Sequence, residues 1–165
     1  MMSPMRFTND LAYDATPSAV AAMLADPRFR ERVCDATRAV RRQVDVDGSP
    51  GQPHTVVIDQ TQPATGVPSV AKKFVGDEIR IVQRESWSGD SGATFVVEIP
   101  GKPATFSGSI ALVPDGEGTV EKVNGDITVK VPLLGGRLES MIADLFTSAL
   151  RAEQRVGRAW LAGER

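Results

Sequence analysis

Residues 131–162 read VPLLGGRLESMIADLFTSALRAEQRVGRAWLA, and the predicted architecture is built around this segment. At about 100° per residue its apolar side chains form one stripe, with Arg151 and Arg158 on the opposite face. The stripe consists of Leu138, Leu145, Ala149, Ala152 and Val156, flanked by Met141 on one side and by Ile142 and Trp160 on the other. The pattern predicts a single amphipathic helix over residues 136–162 that packs its apolar face across a sheet.

The preceding chain alternates between apolar and polar residues with a period of two, which is typical of strands. Seven strands are predicted, at residues 6–13, 41–46, 55–61, 78–87, 94–99, 105–113 and 119–131. Glycine-rich turns at residues 47–51, 88–92 and 114–118 indicate hairpins, so successive strands should pair antiparallel. The longer connection at residues 63–76 predicts a short helix or a lid over the open edge of the sheet.

The pair Asn124–Gly125 lies inside the last predicted strand. An Asn-Gly pair between apolar alternations is a hairpin signal. A glycine bulge in one long strand is the alternative. We favour the long bent strand because a sheet that wraps a helix needs curvature, and the hairpin remains open.

Two short helices are predicted between the first and second strands. Thr16-Pro17 and Asp26-Pro27 each have the form of an N-cap followed by a proline in the first helical turn. One continuous helix is disfavoured because Pro27 lacks a backbone donor and clashes with the preceding turn. The order of elements is therefore strand, two helices, six strands and one long helix, an α+β architecture.

This order resembles the START-like superfamily, also called SRPBCC or polyketide cyclase-like, whose members have the helix-grip fold. The resemblance rests on the Thr16-Pro17 helix start, the run VPLLGGRLE at residues 131–139 and the helix end Arg158-Ala159-Trp160-Leu161, and it covers residues 5–162. Within the superfamily the chain resembles a bacterial family of unknown function. The resemblance implies a curved antiparallel sheet wrapped around the long helix, with an elongated cavity between them. Relatives use such cavities for hydrophobic ligands or for cyclase chemistry, so the fold alone does not decide function.

Length and composition limit the class of protein. The 165 residues fit one domain at residues 5–163 behind a disordered lead-in at residues 1–4. The net charge of -2 and the pI of about 5.5 disfavour a nucleic-acid-binding protein. The lone Cys34 excludes an intrachain disulfide and suits a reducing compartment. No apolar run approaches the roughly 20 residues of a membrane span, so we expect a cytoplasmic protein without membrane insertion.

The strand at residues 78–87 carries the most suggestive polar residues. Gln83 and Glu85 share one face with Ile79, Ile81 and Trp87. If that face is concave, the two polar side chains lie among apolar walls and orient a ligand, because buried polar groups need partners. In the alternative, Glu85 pairs with a cation of a neighbouring strand, or a bulge turns it outward.

The predicted cavity lining comprises side chains of the concave sheet face, of the loop segment before the fourth strand and of the long helix. These residues are Phe7, Leu11, Tyr13, Phe74, Ile81, Gln83, Glu85, Trp87, Phe95, Val97, Phe106, Ile110, Met141 and Leu145.

Other reactive residue types favour structural interpretations. His54 is the only histidine, which excludes a multi-histidine metal site, and we expect it to be exposed at a strand entrance. Cys34 is expected to be a small buried hydrophobe. No cofactor is expected. A basic segment should form a solvated face, with an anionic headgroup or a partner protein as the alternative; its residues are Arg28, Arg30, Arg32, Arg38, Arg41 and Arg42.

Three functions follow from these observations. The first is binding or carriage of a hydrophobic small molecule, such as a lipid, an isoprenoid or a polyketide-like compound, without evident catalysis. The second is a polyketide cyclase or dehydratase-type enzyme in which Glu85 or Tyr13 transfers protons. The third is a protein-interaction or regulatory module. Phe146 and Leu150 lie about 100° and 140° from Leu145 on the helix, where an exposed patch would bind a partner or a second copy.

Overall fold

The computed structural model describes residues 4–65 and 67–165. The strands are β1 (Met5–Tyr13), β2 (Arg41–Asp47), β3 (His54–Pro63), β4 (Glu78–Trp87), β5 (Gly92–Glu98), β6 (Ala104–Asp115) and β7 (Gly118–Val129). The helices are α1 (Pro17–Leu24), α2 (Pro27–Ala36), α3 (Ser69–Val75) and α4 (Gly135–Leu161). Of the lead-in expected at residues 1–4, only the exposed Pro4 belongs to the described residues.

The seven strands form one antiparallel sheet in the order β1-β7-β6-β5-β4-β3-β2. Hairpins connect most sequential neighbours, and β1 closes against β7 rather than against β2. The long helix α4 packs across the concave face, and α1 and α2 pack against it from one end. The helix-grip architecture predicted from the element order is therefore confirmed.

Both short helices begin as their sequences predict. The Thr16 hydroxyl oxygen accepts a hydrogen bond from the Ala19 amide at 3.2 Å, and Pro17 follows in the first turn of α1. Asp26 caps α2 in the same way, accepting from the Arg28 amide at 2.9 Å. These caps satisfy amides that have no partner within the helix, so the break at Asp26 is a real boundary between two helices.

The Asn124–Gly125 pair forms neither a hairpin nor a bulge. Strand β7 is long, as favoured, but its pairing with β6 continues one residue for one residue through this point, with Gly108 opposite Gly125. A Cβ on Gly125 would lie 2.5 Å from the Ser107 carbonyl oxygen and 2.7 Å from the Phe106 ring. The glycines therefore allow the backbones of β6 and β7 and the Phe106 ring to approach closely. The prediction of a bulge at Gly125 is wrong.

The buried stripe of α4 is rotated relative to the predicted one. Ile142 is buried and Phe146 packs inward, whereas Leu145 is 36% exposed. The Phe146 ring meets Phe106 edge to face at 4.8 Å between centroids, and this larger side chain occupies the concave side instead of Leu145. Gly157 allows a close approach of α4 to the sheet, because a Cβ there would lie 2.7 Å from Tyr13 Cε1.

Candidate binding cavity and a buried carboxyl cluster

A cavity of about 270 Å³ opens between α4 and the β3–β4 side of the sheet. Its inner walls are apolar and include Ile79, Ile81 and Phe146. Its rim is polar: the Gln62 side-chain amide donates to Thr37 Oγ1 at 2.8 Å and to Gln60 Oε1 at 2.7 Å. An apolar interior with a few fixed polar groups is the usual composition of a small-molecule site.

A second, smaller void of about 30 Å³ lies further along the concave face. Its polar wall consists of Gln83 and Glu85 from β4, Glu121 from β7 and Glu153 from α4. Phe146 borders this void, the 270 Å³ cavity and a third void of about 20 Å³. One aromatic ring of α4 therefore stands between the open cavity and the buried polar end.

Glu85 forms a buried bidentate ion pair with Arg30 of α2. The Arg30 guanidinium donates to Glu85 Oε1 at 2.7 Å and to Oε2 at 3.2 Å, and its Nε donates to the Leu24 carbonyl oxygen at 2.7 Å. The Trp87 indole N–H donates to Glu85 Oε1 at 2.8 Å, and the Gln83 amide donates to Oε2. Both oxygens of Glu85 are therefore fully used within the protein.

Glu121 and Glu153 are buried without such partners. They are 1% and 7% exposed, and Glu121 Oε1 and Glu153 Oε2 make no hydrogen bond to any described residue. The nearest cation is Arg30, whose Nη1 lies 3.8 Å from Glu153 Oε1. The hydroxyl of Tyr13 belongs to this cluster beside Glu153, and as placed it makes no hydrogen bond within the described part of the chain.

Burial shifts the protonation of these groups. Desolvation, and then the charge of the neighbouring Glu153, raise the pKa of Glu121 well above its ordinary value. Desolvation also raises the pKa of Glu153, although the Arg30 charge opposes the shift. Burial and the two carboxylates raise the pKa of the Tyr13 phenol, so it remains a proton donor. The pair Glu121–Glu153 therefore keeps its protons to higher pH than exposed glutamates do.

Five elements each contribute one ionisable residue to this carboxyl cluster: Tyr13 from β1, Arg30 from α2, Glu85 from β4, Glu121 from β7 and Glu153 from α4. Strand alternation brings Glu85 and Glu121 inward, because each shares the parity of the buried residues of its strand. The rotation of α4 that buries Ile142 also turns Glu153 toward the sheet.

The structure brings most of the predicted lining residues together around the voids. Those that border one of the cavities are Ile81, Gln83, Glu85, Phe95, Val97, Phe106, Ile110, Met141 and Leu145. Phe7, Leu11, Tyr13 and Trp87 are buried in the core instead, and Phe74 is half-buried where α3 covers the sheet.

Several sequence-based expectations are wrong. Arg30, assigned to a solvated face, is 4% exposed because its partner Glu85 lies across the fold; the other arginines of that segment are exposed. His54 is buried and stacks parallel to Trp87 at 5.8 Å. The expected exposed patch is absent at Phe146 and Leu150, because both are partly buried against the core. Cys34 is buried, as predicted.

Sequence reasoning missed Glu121 and Glu153 entirely. The sequence carried a signal for Glu121, because this residue shares the inward face of β7 with Thr119, Val123 and Ile127. Glu153 lies four residues before Gly157 and seven before Trp160, so it shares the buried face of α4 with them. The predicted apolar stripe was centred on a different face and did not include Glu153. Within residues 4–65 and 67–165, no group of three or more His, Cys, Asp or Glu side chains is arranged to hold a metal ion, and no helix is long and apolar enough to cross a membrane.

Comparison with known proteins gives one family and a set of similar folds. Residues 8–161 match the family described as "Protein of unknown function (DUF2505)". No curated protein matches the chain significantly.

Three solved structures illustrate the similarity of fold. The di-domain ARO/CYC StfQ from the steffimycin biosynthetic pathway is 14% identical with a TM-score of 0.67, over 96% of this chain and 51% of that one. TTHA0849 from Thermus thermophilus is 16% identical with a TM-score of 0.65, over 96% and 99%. A START superfamily protein from Mycobacterium smegmatis is 13% identical with a TM-score of 0.61, over 94% and 98%. The chain thus has the START-like fold.

Proposed function

The chain belongs to the DUF2505 family, and from that premise we propose that it binds or carries a hydrophobic small molecule between α4 and the sheet. The supporting observation is the 270 Å³ cavity, whose inner walls are apolar and whose rim carries hydrogen-bonded polar side chains. Its volume lies just below the range of about 300–1,000 Å³ for drug-sized ligands. A small acyl, isoprenoid or polyketide-like molecule would suit it.

The site residues that we propose for this ligand surround the cavity and its buried extension. Ile81 is the central wall residue, and Leu145 and Phe146 face it from α4. Beyond Phe146, the apolar side chains of Phe95, Val97 and Ile110 continue the lining toward Gln83 and Glu85. Burial of an alkyl or ring system against these side chains contributes roughly 25 cal/mol per Å² of apolar surface.

Filling the cavity tests the proposal. Ile81→Trp would occupy the space of the ligand, so binding measured by native mass spectrometry and by a fluorescent hydrophobic probe should be lost. Val96→Trp, on the opposite face of the neighbouring strand where Val96 is 40% exposed, is the matched control and should leave binding unchanged. Equal binding to both variants, or no binding of a broad apolar panel to the wild type, would contradict the proposal.

A second candidate is a cyclase or dehydratase-type enzyme. The observation in its favour is the raised pKa of Glu121 beside a void, because a carboxyl that stays protonated is a suitable general acid. The di-domain ARO/CYC StfQ, which shares the fold, comes from a biosynthetic pathway. If the wild type turns over a substrate, Glu121→Gln should slow that reaction. An unchanged rate in this variant would rule out the candidate function.

A further inference from the structure

The charges of the carboxyl cluster do not balance. Three buried carboxyl groups, Glu85, Glu121 and Glu153, share the guanidinium of Arg30. That guanidinium is committed to Glu85 by two hydrogen bonds, whereas its contact with Glu153 is 3.8 Å long. A buried carboxylate without a cation is costly, so the uncompensated groups must hold protons or receive a cation from outside.

The unpartnered oxygens sit beside a space of suitable size. Glu121 and Glu153 both line the 30 Å³ void, and each has one oxygen without a hydrogen bond. Such a volume holds about one or two water molecules, or one ammonium group. The remaining wall is apolar, with Phe95, Ile110 and Leu150 around it, which strengthens any charge interaction formed inside.

We propose that Glu121 and Glu153 bind the protonated amine of an amphipathic ligand whose apolar body occupies the 270 Å³ cavity, an inference that rests on the proposed function. The ammonium group donates to Glu121 Oε1 and Glu153 Oε2, which accept no hydrogen bond within residues 4–65 and 67–165, and it replaces the proton that the two adjacent carboxyl groups share. Arg30 and Glu85 fix the surrounding geometry and do not contact the ligand cation. The ligand class is a primary amine on an alkyl or aryl body.

The amine reaches its site past Phe146, while the apolar body stays in the open cavity. This ring borders both the open cavity and the polar void, and it is only partly buried. Ile81 and Gln83 are successive inward-facing residues of β4. Ile81 borders the open cavity on one side of the Phe146 ring, and Gln83 borders the polar void on the other. A ligand that enters amine first therefore displaces the Phe146 ring and lies along β4 from Ile81 to Gln83.

Binding of a cation by this pair is coupled to the release of a proton. In the free protein the carboxyls hold a proton that the ammonium group replaces, because the ligand charge then compensates the buried carboxylate. Calorimetric titrations in two buffers of different ionisation enthalpy measure this release. Glu121→Gln keeps the size of the side chain but removes its titration, so it should release fewer protons.

The test compares three ligands of equal chain length, octylamine, octanol and octanoate, by titration followed with amide NMR at about neutral pH. Wild type should bind octylamine more tightly than octanol by about tenfold or more, the ratio expected of a charge-assisted hydrogen bond. In Glu121→Gln and Glu153→Gln this preference should fall toward unity, while octanol binds as before. Glu117→Gln makes the same charge change at an exposed turn and should retain the preference.

The outcomes separate the two proposals. Equal binding of octylamine and octanol to the wild type, or tighter binding of octanoate, overturns the amine subsite and leaves apolar ligand binding intact. A preference that persists in Glu121→Gln and Glu153→Gln also overturns the subsite, because the acidic surface then accounts for it. Failure of all three ligands to bind overturns both the subsite and the proposed function.

Discussion

Arg30 of α2 and Glu85 of β4, 55 residues apart in the chain, form a bidentate ion pair with Nη2–Oε1 at 2.7 Å and Nη1–Oε2 at 3.2 Å. The pair joins the helical layer to the centre of the concave sheet. Glu85 also accepts from the Trp87 indole at 2.8 Å, and Arg30 also donates to the end of α1 at Leu24. One buried contact thus connects α1, α2 and β4 and positions the polar end of the cavity.

Removal of the Arg30 cation should destabilise the fold strongly. In Arg30→Met, Glu85 remains buried without its charge partner, so the free energy of unfolding should fall by about 3–5 kcal/mol. Urea denaturation at about neutral pH measures the change. Arg28→Met on the same helix removes an exposed arginine and should leave the free energy of unfolding nearly unchanged. Equal midpoints for the two variants would show that the buried pair is not structural.

The double variant Arg30→Met with Glu85→Gln should recover part of this loss. Neutralising Glu85 removes the uncompensated charge while its amide keeps hydrogen-bonding capacity. Denaturation of the double variant beside both single variants measures the coupling. Additive losses would mean that the two side chains act independently.

Glu121→Gln should change how stability depends on pH. Burial raises the pKa of Glu121 in the folded protein, so the fold binds its proton more tightly than the unfolded chain does. This contribution is present at low pH and declines as pH rises from the ordinary pKa of 4.5 through the raised value. Glu121→Gln should therefore gain stability over the wild type as pH rises above the ordinary pKa of 4.5.

Four other titratable or charged groups surround Glu121 in the cluster. They are Tyr13, Arg30, Glu85 and Glu153. Denaturation midpoints of wild type and Glu121→Gln are compared at each pH, with Glu117→Gln as the exposed control. Parallel pH profiles for wild type and Glu121→Gln would contradict a raised pKa at this site.

Phe146→Ala should join the open cavity to the polar void. Loss of a partly buried ring costs less than truncation of a fully buried phenylalanine, so we expect a loss of about 2–3 kcal/mol in unfolding free energy. The alkylamine of tightest binding should become longer than in the wild type. Phe74→Ala removes a half-buried ring that borders none of these voids, and should leave that optimum unchanged. If wild type, Phe146→Ala and Phe74→Ala all prefer the same alkylamine length, Phe146 does not separate the open cavity from the polar void.

The Cys34 thiol should be inert in the folded protein. Burial raises its pKa to about 11, so the reactive thiolate is scarce at about pH 8. A thiol-specific disulfide reagent should react fully in denaturant and far more slowly without it, and as the sole cysteine Cys34 gives the entire signal. Because Cys34 also borders the open cavity, bound ligand should slow the reaction further. Rapid reaction in the native state would contradict its burial.

The residues nearest each other in sequence determined the secondary structure. The Thr16-Pro17 and Asp26-Pro27 caps fix two helix starts by local hydrogen bonds, and alternation placed β4 at its observed bounds, Glu78–Trp87. Hairpin turns then dictated antiparallel neighbours. These signals are local, so they could be read without knowing what packs against them, and together they specify the helix-grip architecture.

The carboxyl cluster was decided by tertiary structure alone. Alternation puts Glu85 on the inward face but does not say which cation meets it, and Arg30 stands among exposed arginines that look alike in sequence. The helix α4 was predictable as a helix, yet its rotation depends on the Phe146 ring against Phe106 and on Gly157 against Tyr13. That rotation buries Glu153 opposite Glu121. Local sequence patterns therefore fix the secondary-structure elements and their order. Burial of charge requires the assembled fold, because it depends on contacts between residues far apart in the chain.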